Sequence, residues 1–209
     1  MTVSLKLTQS INEIQKEINK AIYLEIKNIS NKNINKVKNV LYKNIAKWIE
    51  EQPEIISLKH VAVTNSLGAL FGLTPTEATS AVSSIITSII NSVKIDINLN
   101  DKLDGNIIFN FQPDDLSNLL NLPEGHRNTL KNTDLHWLDW LLTKGNTVII
   151  VGYYYAPSTK GRSAAGNMVQ GGSFRVPPEF AGNKDNNFIT RAFSNRQKEI
   201  ENILRGLLQ

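Results

Sequence analysis

The sequence of 209 residues has no cysteine, only three histidines and only two methionines. Without cysteine the chain can form neither a disulfide nor a thiolate metal site, which fits assembly in a reducing cytosol. The histidines, His60, His126 and His136, lack the short spacings at which two imidazoles bind one metal ion. The sequence therefore predicts no metal and no cofactor.

Long hydrophobic runs are also missing. No apolar run approaches the roughly 20 residues that a membrane-spanning helix needs. The N-terminus has no apolar core behind a basic start, so no signal peptide is expected. Hydrophobic residues make up 41% of the chain and charged residues 20%, which is typical of globular proteins. We expect no membrane partner.

Acidic residues at catalytic spacings are few. Asp114 and Asp115 are adjacent, and Asp134 and Asp139 are five apart, so neither pair faces one another on a helix. Acidic side chains at helix N-termini explain both groups more simply. The glycine-rich segment Gly161–Gly166 lacks the lysine of a phosphate-binding loop and the pattern of a nucleophile elbow. The sequence predicts no catalytic residues and no enzymatic activity.

Charge is distributed unevenly along the chain. Residues 1–52 carry nine basic and five acidic side chains, residues 53–159 carry six and ten, and residues 160–209 carry eight and four. The resulting net charges of +4, −4 and +4 suit copies that touch head to tail, or a body with one side facing a polyanion. A solvated mixed surface is the alternative interpretation.

Residues 1–52 are predicted to form an N-terminal helical segment. Isoleucines recur every three or four residues from Ile11 to Ile29, and a second apolar run extends from Val37 to Ile49. Asparagine is a poor helix former, so the asparagine-rich stretch 28–35 predicts a kink or a short break. Pro53 is expected to end the second run.

Residues 53–209 are predicted to form an α+β body. The sequence Thr-Pro-Thr-Glu at 74–77 has the pattern of a capping box and predicts a helix to about Asn91. Alternating apolar residues over 93–99 and 107–111, with Asp-Gly between them, predict an antiparallel hairpin. A short helix is expected from Pro113 to Leu120.

The last third of the chain is predicted to be a helix, a second hairpin and another helix. The expected helix Leu135–Thr143 buries Trp137, Leu138, Leu141 and Leu142 beneath the sheet. A strand over 147–155 leads to a long loop or extended hairpin tip at 156–172, which we expect to contact partners. Residues 173–176 are predicted to form the returning strand. A C-terminal helix is expected over 186–208. The predicted class is α+β, with an antiparallel sheet and an extended hairpin packed by long N-terminal helices and a C-terminal helix.

Aromatic, glycine and arginine residues are concentrated between positions 135 and 193. Arginine, tyrosine and phenylalanine are enriched at protein interfaces, and arginine pairs well with carboxylates. No motif of a sequence-specific nucleic-acid-binding protein is present. The predicted interface residues are Tyr154, Arg162, Phe174, Arg175, Pro177, Pro178, Phe180 and Arg191, and we expect Arg175 or Arg191 to pair with a carboxylate.

Several segments together resemble virion structural proteins of tailed bacteriophages. They are Leu135–Leu142 (LHWLDWLL), Gly161–Ser163, Arg175–Gly182 (RVPPEFAG) and Asn187–Ala192 (NFITRA), together with the upstream Ser66–Leu73. The similarity covers roughly residues 55–205 and is most specific over 135–193. Within that group the chain is similar to the neck and tail-completion proteins, from which its long N-terminal helices are a departure.

This resemblance implies a non-enzymatic virion protein that is assembled in the host cytoplasm. It implies a homo-oligomeric ring at the neck or tail, around the DNA channel, in contact with a portal, adaptor, tube or sheath protein. Non-specific contact with packaged DNA stays open. The alternatives are another tail or baseplate component, a cell-wall hydrolase with Asp139 or Glu179 as the acid, and a free DNA-binding protein that uses the basic ends.

Overall fold

The computed structural model describes residues 8–113, 115–128 and 134–209. The class is α+β, as predicted, but the antiparallel strands form three separate pairs: β1–β2, β3–β4 and β5–β6. In chain order the elements are α1 (Ile11–Glu50), α2 (Pro53–Lys59), α3 (Leu67–Leu70), α4 (Pro75–Ser92), β1 (Lys94–Leu99), β2 (Gly105–Asn110), α5 (Ser117–Leu120), β3 (Arg127–Asn128), β4 (Asp134–Leu135), α6 (Trp137–Leu142), β5 (Ile150–Pro157), β6 (Gly166–Phe174), α7 (Phe188–Phe193) and α8 (Gln197–Arg205).

The described residues form two compact units, each discontinuous along the chain. Unit 1 contains the described residues up to Leu41, together with Lys94–Asn110 and Lys198–Gln209. Unit 2 contains the described residues of Tyr42–Val93 and Phe111–Gln197. Neither unit is limited by residue 52, so the division into a segment 1–52 and a body 53–209 stays a prediction.

Helix α1 is continuous over 40 residues, about 60 Å in length. The predicted break at residues 28–35 is therefore wrong. Each asparagine costs the helix only a few tenths of a kcal/mol relative to an ordinary residue, and good helix formers extend on both sides. Ile34 and Val37 also pack into the core of unit 1, which holds this stretch in helical form. Pro53 lies three residues beyond the helix end and begins α2.

Unit 1 confirms the predicted first hairpin. Strands β1 and β2 pair antiparallel from Lys94 opposite Asn110 to Leu99 opposite Gly105, without interruption. The alternating pattern places one face of the pair against the helical segments of this unit. The buried core consists of Val37, Leu204 and Leu207, and the half-buried residues around it are Ile34, Ile95, Ile97, Ile107, Phe109, Ile200 and Ile203.

The capping box at the start of α4 in unit 2 is also confirmed. The Thr74 hydroxyl oxygen accepts a hydrogen bond from the Glu77 backbone N–H at 3.3 Å, and the Glu77 carboxylate accepts one from the Thr74 backbone N–H at 2.8 Å. The helix ends at Ser92, one residue beyond the predicted end. Its buried face consists of Ala78, Ala81, Val82, Ile85 and Ile89.

Two short helices of unit 2 begin later than predicted. Helix α5 begins at Ser117 because Leu116 has a left-handed φ of +57°, which no α-helical residue has. Asp114 and Thr133, which were expected at helix starts, lie outside the described residues. Helix α6 begins at Trp137, since Asp134–Leu135 pairs with β3 instead. The predicted core of this helix is confirmed, because Trp137, Leu138, Leu141 and Leu142 are all buried.

The predicted C-terminal helix is two helices. Helix α7 ends at Phe193 and α8 begins at Gln197, with Asn195 between them at a φ of +65°. Asparagine tolerates the left-handed region better than most residues, so the chain can break the helix at Asn195. The apolar periodicity continues across this break, and the sequence therefore predicted a single helix. Helix α7 begins with a capping box formed by Asn187 and Thr190.

Candidate functional site: the β5–β6 hairpin and its aromatic floor

The β5–β6 hairpin returns much earlier than the sequence predicts. Strand β6 begins at Gly166, so the turn is limited to residues 158–165 and most of the predicted loop at 156–172 is strand. Glycine disfavours strands in general, but Gly166 faces the Tyr155 ring so closely that a Cβ atom there would come within 2.4 Å of it. The extended hairpin is therefore the correct one of the two predicted alternatives.

The hairpin ladder is interrupted near its base. Val151 pairs with Ser173 and Tyr153 pairs with Gln170, so the register shifts between these two pairs. The shift coincides with three glycines of positive φ: Gly152 at +84°, Gly171 at +116° and Gly172 at +64°. Residues with a Cβ atom rarely adopt such conformations, so the interruption depends on glycine.

An aromatic floor lies in unit 2 beside the hairpin. The rings of Phe71 and Trp137 stack with a centroid distance of 5.3 Å, and Trp140 lies 6.0 Å from Phe71 and 6.5 Å from Phe174. A pocket of about 430 Å³ separates this floor from the hairpin residues that line its other side, among them Tyr155. Trp137 is fully buried, and its indole N–H has no hydrogen-bond partner.

The hairpin turn contacts α3 at the far end of this pocket. The Ser163 hydroxyl donates to the Ala69 carbonyl oxygen at 3.4 Å, and Ser163 and Ala165 are buried. The Tyr155 hydroxyl donates to the Ala165 carbonyl oxygen at 2.8 Å, which holds the turn against its own strand. The turn is thus docked on the body of unit 2 and is not a loop surrounded by solvent.

Several large apolar side chains of the hairpin are exposed. Val151 is 82% exposed, Tyr154 43%, and Met168 and Val169 38% each. Tyr154 and Val169 are paired across the two strands and share one face, whereas Met168 pairs with Tyr155 and lines the pocket on the other face. Single exposed apolar residues are common on protein surfaces, but the Tyr154–Val169 pair, with Val151 nearer the base of the hairpin, forms a small apolar patch. The sheet has only two strands, so each strand also has one edge that pairs with no other described strand.

The hairpin side of the pocket carries positive charge. Between Asp139 and Glu179 the sequence has four basic and no acidic residues. Arg162 is exposed at the turn and lines the pocket. Arg127 lines it from the floor side, where its guanidinium pairs with Glu77 and donates to the Gly72 carbonyl oxygen at 3.2 Å. The hydrogen bond from Arg127 lowers the pKa of the Glu77 carboxyl to about 2, so this carboxylate stays charged.

The structure brings some of the predicted interface residues together and separates others. Arg162 and Phe174 line the pocket, and Tyr154 is exposed on the hairpin. Arg175 is exposed directly after β6, and no carboxylate of the described residues lies within ion-pair distance of it. Pro177 is half-buried, Pro178 is exposed and Phe180 is half-buried in the 3-10 turn Pro178–Phe180, and none of them lines the pocket.

Arg191 confirms the expectation of a carboxylate pair. Its guanidinium pairs with Glu54, whose side chain is only 1% exposed, and also donates to the Asn186 side-chain oxygen at 2.9 Å. The second Glu54 carboxylate oxygen has no hydrogen-bond partner. A buried carboxylate without its cation is costly, so this pair lies inside the unit as a structural support and does not face a partner.

Three residues of the site were not predicted from the sequence: Phe71, Arg127 and Trp140. Trp137 and Trp140 are three residues apart, which is a signal for a shared helix face. Phe71 lies in the segment Ser66–Leu73, which entered the sequence analysis only through the resemblance. Its stacking on Trp137 joins residues 66 positions apart in the chain, and no local pattern shows such a contact.

Two of the three histidines lie together in unit 2. The His126 and His136 rings stack at a centroid distance of 3.9 Å, and the His126 side chain contacts Asp134 at 2.8 Å. Burial, together with the neighbouring His126, lowers the pKa of His136. Among the described residues no group of three or more histidine or acidic side chains is placed to hold a metal ion. No helix of the described residues is long and apolar enough to cross a bilayer.

Comparisons with protein-family models, with curated proteins and with solved structures gave no significant match. Function is therefore inferred from the surfaces of the molecule and from the sequence segments described above. The hairpin is the strongest candidate, because it combines exposed apolar side chains, open strand edges and positive charge. Exposed apolar and arginine side chains of this kind are typical of surfaces that bind another protein.

Proposed function

We propose that this chain is a structural subunit of a tailed-bacteriophage virion, which forms a homo-oligomeric ring at the neck or tail around the DNA channel. The observation that carries the proposal is the exposed apolar patch of the β5–β6 hairpin, formed by Val151, Tyr154 and Val169. The resemblance of the segments between 135 and 193 to neck and tail-completion proteins supports the same function. On this proposal the protein is assembled in the host cytoplasm and resides in the virion.

A ring subunit must present surfaces that fit the next copy. Closed rings arise when one surface of a subunit binds a different surface of its neighbour. The apolar patch supplies one such surface, and the open edges of β5 and β6 can accept backbone hydrogen bonds from a neighbouring strand. The alternating net charges of the three sequence segments suit the same head-to-tail contact.

The proposal is tested by measuring the mass of the protein in solution as its concentration is raised. We expect a discrete oligomer, which Val169→Asp weakens by at least tenfold in dissociation constant. The matched control is Ile108→Asp on β2, because Ile108 has the same 38% exposure as Val169. The control should leave the oligomer unchanged, and both variants should keep the wild-type thermal unfolding temperature.

Two results would contradict the proposal. A protein that stays monomeric and binds DNA with strong salt dependence is a free DNA-binding protein. A protein that stays monomeric and degrades bacterial cell wall is a hydrolase. Equal effects of the two aspartate substitutions on the oligomer would show that the hairpin patch is not the assembly surface.

A further inference from the structure

The part of the β5–β6 hairpin beyond the ladder interruption is connected to its base only through glycines. Gly152 on one strand and Gly171–Gly172 on the other lie at the same level of the ladder, and all three have positive φ. Tyr154 covers this level, since its side-chain atoms lie 3.6–3.9 Å from the positions that Cβ atoms of Gly171 and Gly172 would occupy. Glycine has the widest range of backbone conformations, so this level can act as a hinge.

The distal hairpin beyond this hinge is a small unit with its own internal contacts. Residues 153–157 pair with residues 166–170, and the Tyr155 hydroxyl bonds to the Ala165 carbonyl oxygen within the hairpin. Five paired residues place the turn about 17 Å from the hinge. A modest rotation at the glycines therefore moves the turn by many ångströms while the internal contacts remain.

The contact between the turn and α3 is separable from the rest of unit 2. Its hydrogen bond joins the buried Ser163, whose hydroxyl reaches the Ala69 carbonyl oxygen at 3.4 Å, to α3, and Ala165 beside it in the turn is also buried. A hydrogen bond of this length is weak, and these side chains are small. The hydrogen bond is therefore a weak link between the turn and α3.

The docked position leaves the apolar side chains of the distal hairpin in solvent. Tyr154, Met168 and Val169 are each at least 38% exposed although the turn is fully docked. In the single chain the turn is therefore buried, but the apolar side chains of the distal hairpin remain exposed to solvent.

We propose that copies of this chain exchange the distal β5–β6 hairpin, so that the turn of one copy docks on Ala69 and the aromatic floor of its neighbour. Any second copy offers the same docking surface, so the contacts of the turn are conserved and little free energy is lost. The docked position itself leaves the outer face of the hairpin exposed, so any further burial comes from the new boundary that the exchange creates between the copies. This inference rests on the proposed function, because it names the contact through which the copies of the ring are joined.

Engineered cysteines test the exchange directly, because the natural chain has none. One version of the full chain carries Ser163→Cys and a second, differently tagged version carries Ala69→Cys. The two versions are mixed, allowed to assemble and mildly oxidised. For an equal mixture we expect a disulfide between the two tags in up to about half of the assembled chains, which is the limit for random neighbours, and in a much smaller share of the dilute monomer.

A second pair of variants covers the case in which these buried substitutions disturb folding. Arg162→Cys and Leu70→Cys alter less buried residues that line the pocket from the turn and from α3. They are joined by a flexible thiol-reactive crosslinker in the same two-tag design. A chain that carries both cysteines serves as the control, since the dilute monomer should then crosslink within itself.

The outcomes separate this inference from the proposed function. An oligomer in which crosslinks form only within chains would overturn the exchange and leave the ring proposal intact. The absence of any crosslink between tags in a folded oligomer would overturn it as well. A protein that remains monomeric at every concentration would overturn both the exchange and the proposed ring.

Discussion

The two long hairpins of this chain have the same antiparallel pairing but opposite surroundings. The β1–β2 hairpin has six consecutive residue pairs without interruption, and one of its faces packs against the core of unit 1. The β5–β6 hairpin has an interrupted ladder with three positive-φ glycines and four exposed apolar side chains. Strict alternation of apolar and polar residues produces the first, whereas clustered tyrosines and glycines produce the second.

On the proposed function, this difference separates the hairpin that serves the fold from the hairpin that binds a neighbouring copy. A hairpin that contributes one complete face to a core cannot leave that core without unfolding the unit around it. A hairpin that is joined through glycines and docked by a small contact can change its partner at low cost. Substitutions in the two hairpins and in their supports should therefore differ in their effects on stability.

The largest effect is expected from the floor beneath the β5–β6 hairpin. Trp137→Ala should lower the free energy of unfolding by about 3–5 kcal/mol, because a fully buried indole is replaced by a cavity. Denaturant unfolding of the two proteins measures this difference. A loss below about 1 kcal/mol would show that the floor does not belong to the folded core and that the hairpin has no rigid surface to dock on.

The next largest effect on stability compares Arg191, which supports unit 2, with Arg175 at the exposed end of the β5–β6 hairpin. Arg191→Glu places a second carboxylate beside the buried Glu54 and should cost about 3 kcal/mol. Arg175→Glu, directly after β6, is the matched control and should change stability by less than about 0.5 kcal/mol. Equal losses for the two variants, measured by thermal unfolding, would contradict the assignment of Arg191 as a structural support.

A smaller effect compares apolar truncations on the two hairpins. Ile97→Ala on β1 should cost about 1–2 kcal/mol, because this half-buried side chain packs on the core of unit 1. Val151→Ala on β5 should cost less than about 0.5 kcal/mol, because that side chain is 82% exposed. If dilute, monomeric protein shows the reverse order, the β5–β6 hairpin is the structural one.

The smallest effect is a pH dependence that belongs to unit 2. The Glu77 carboxyl has a pKa of about 2 in the folded chain and the usual 4.5 when unfolded, because Arg127 hydrogen-bonds to the charged form. Between pH 4.5 and pH 2 the unfolded chain takes up the proton first, so the unfolding free energy falls through this window and is unaffected above it.

The expected loss over this window is about 1 kcal/mol, since the Glu77 side chain is 42% exposed and its ion pair is screened by solvent. Urea unfolding at a series of pH values, followed by tryptophan fluorescence, measures it. The control is Glu77→Gln, in which the contribution of this group should disappear. An unchanged pH profile in that variant would assign the acid sensitivity to other carboxyls.

Local patterns predicted those elements whose signals are contained in a few neighbouring residues. The capping box of Thr74 and Glu77 and the alternation over β1 and β2 are such signals, and both were confirmed. The burial of Trp137 followed from the apolar run around it. In each case the residues that form the signal are also the residues that make the contact.

The misinterpreted elements depend on contacts between distant residues or on single backbone angles. The asparagine-rich stretch of α1 stays helical because residues of β1, β2 and α8 pack beside it. The break between α7 and α8 depends on the left-handed conformation of Asn195. The docking of the hairpin turn joins Ser163 to Ala69 across 94 positions, so composition alone made that turn resemble a mobile loop.

The candidate site was predicted only in part, because contacts between distant residues bring it together. Arg162, Phe174 and Tyr154 were found because arginine and aromatic residues stand out in a segment without acids. Arg191 was recognised as a residue that pairs with a carboxylate, but its partner Glu54 lies 137 positions away and is buried in the same unit. The sequence therefore identified the residue types of an interface without distinguishing the exposed ones from the structural ones.

Hydrogen exchange of the backbone amides, compared between dilute and assembled protein, tests the central claim most directly. We expect assembly to slow exchange at least tenfold in residues 153–157 and 166–170 of the β5–β6 hairpin and to leave β1–β2 unchanged. Slower exchange confined to β1–β2, or an oligomer in which neither hairpin gains protection, would contradict the assignment of the β5–β6 hairpin as the assembly surface.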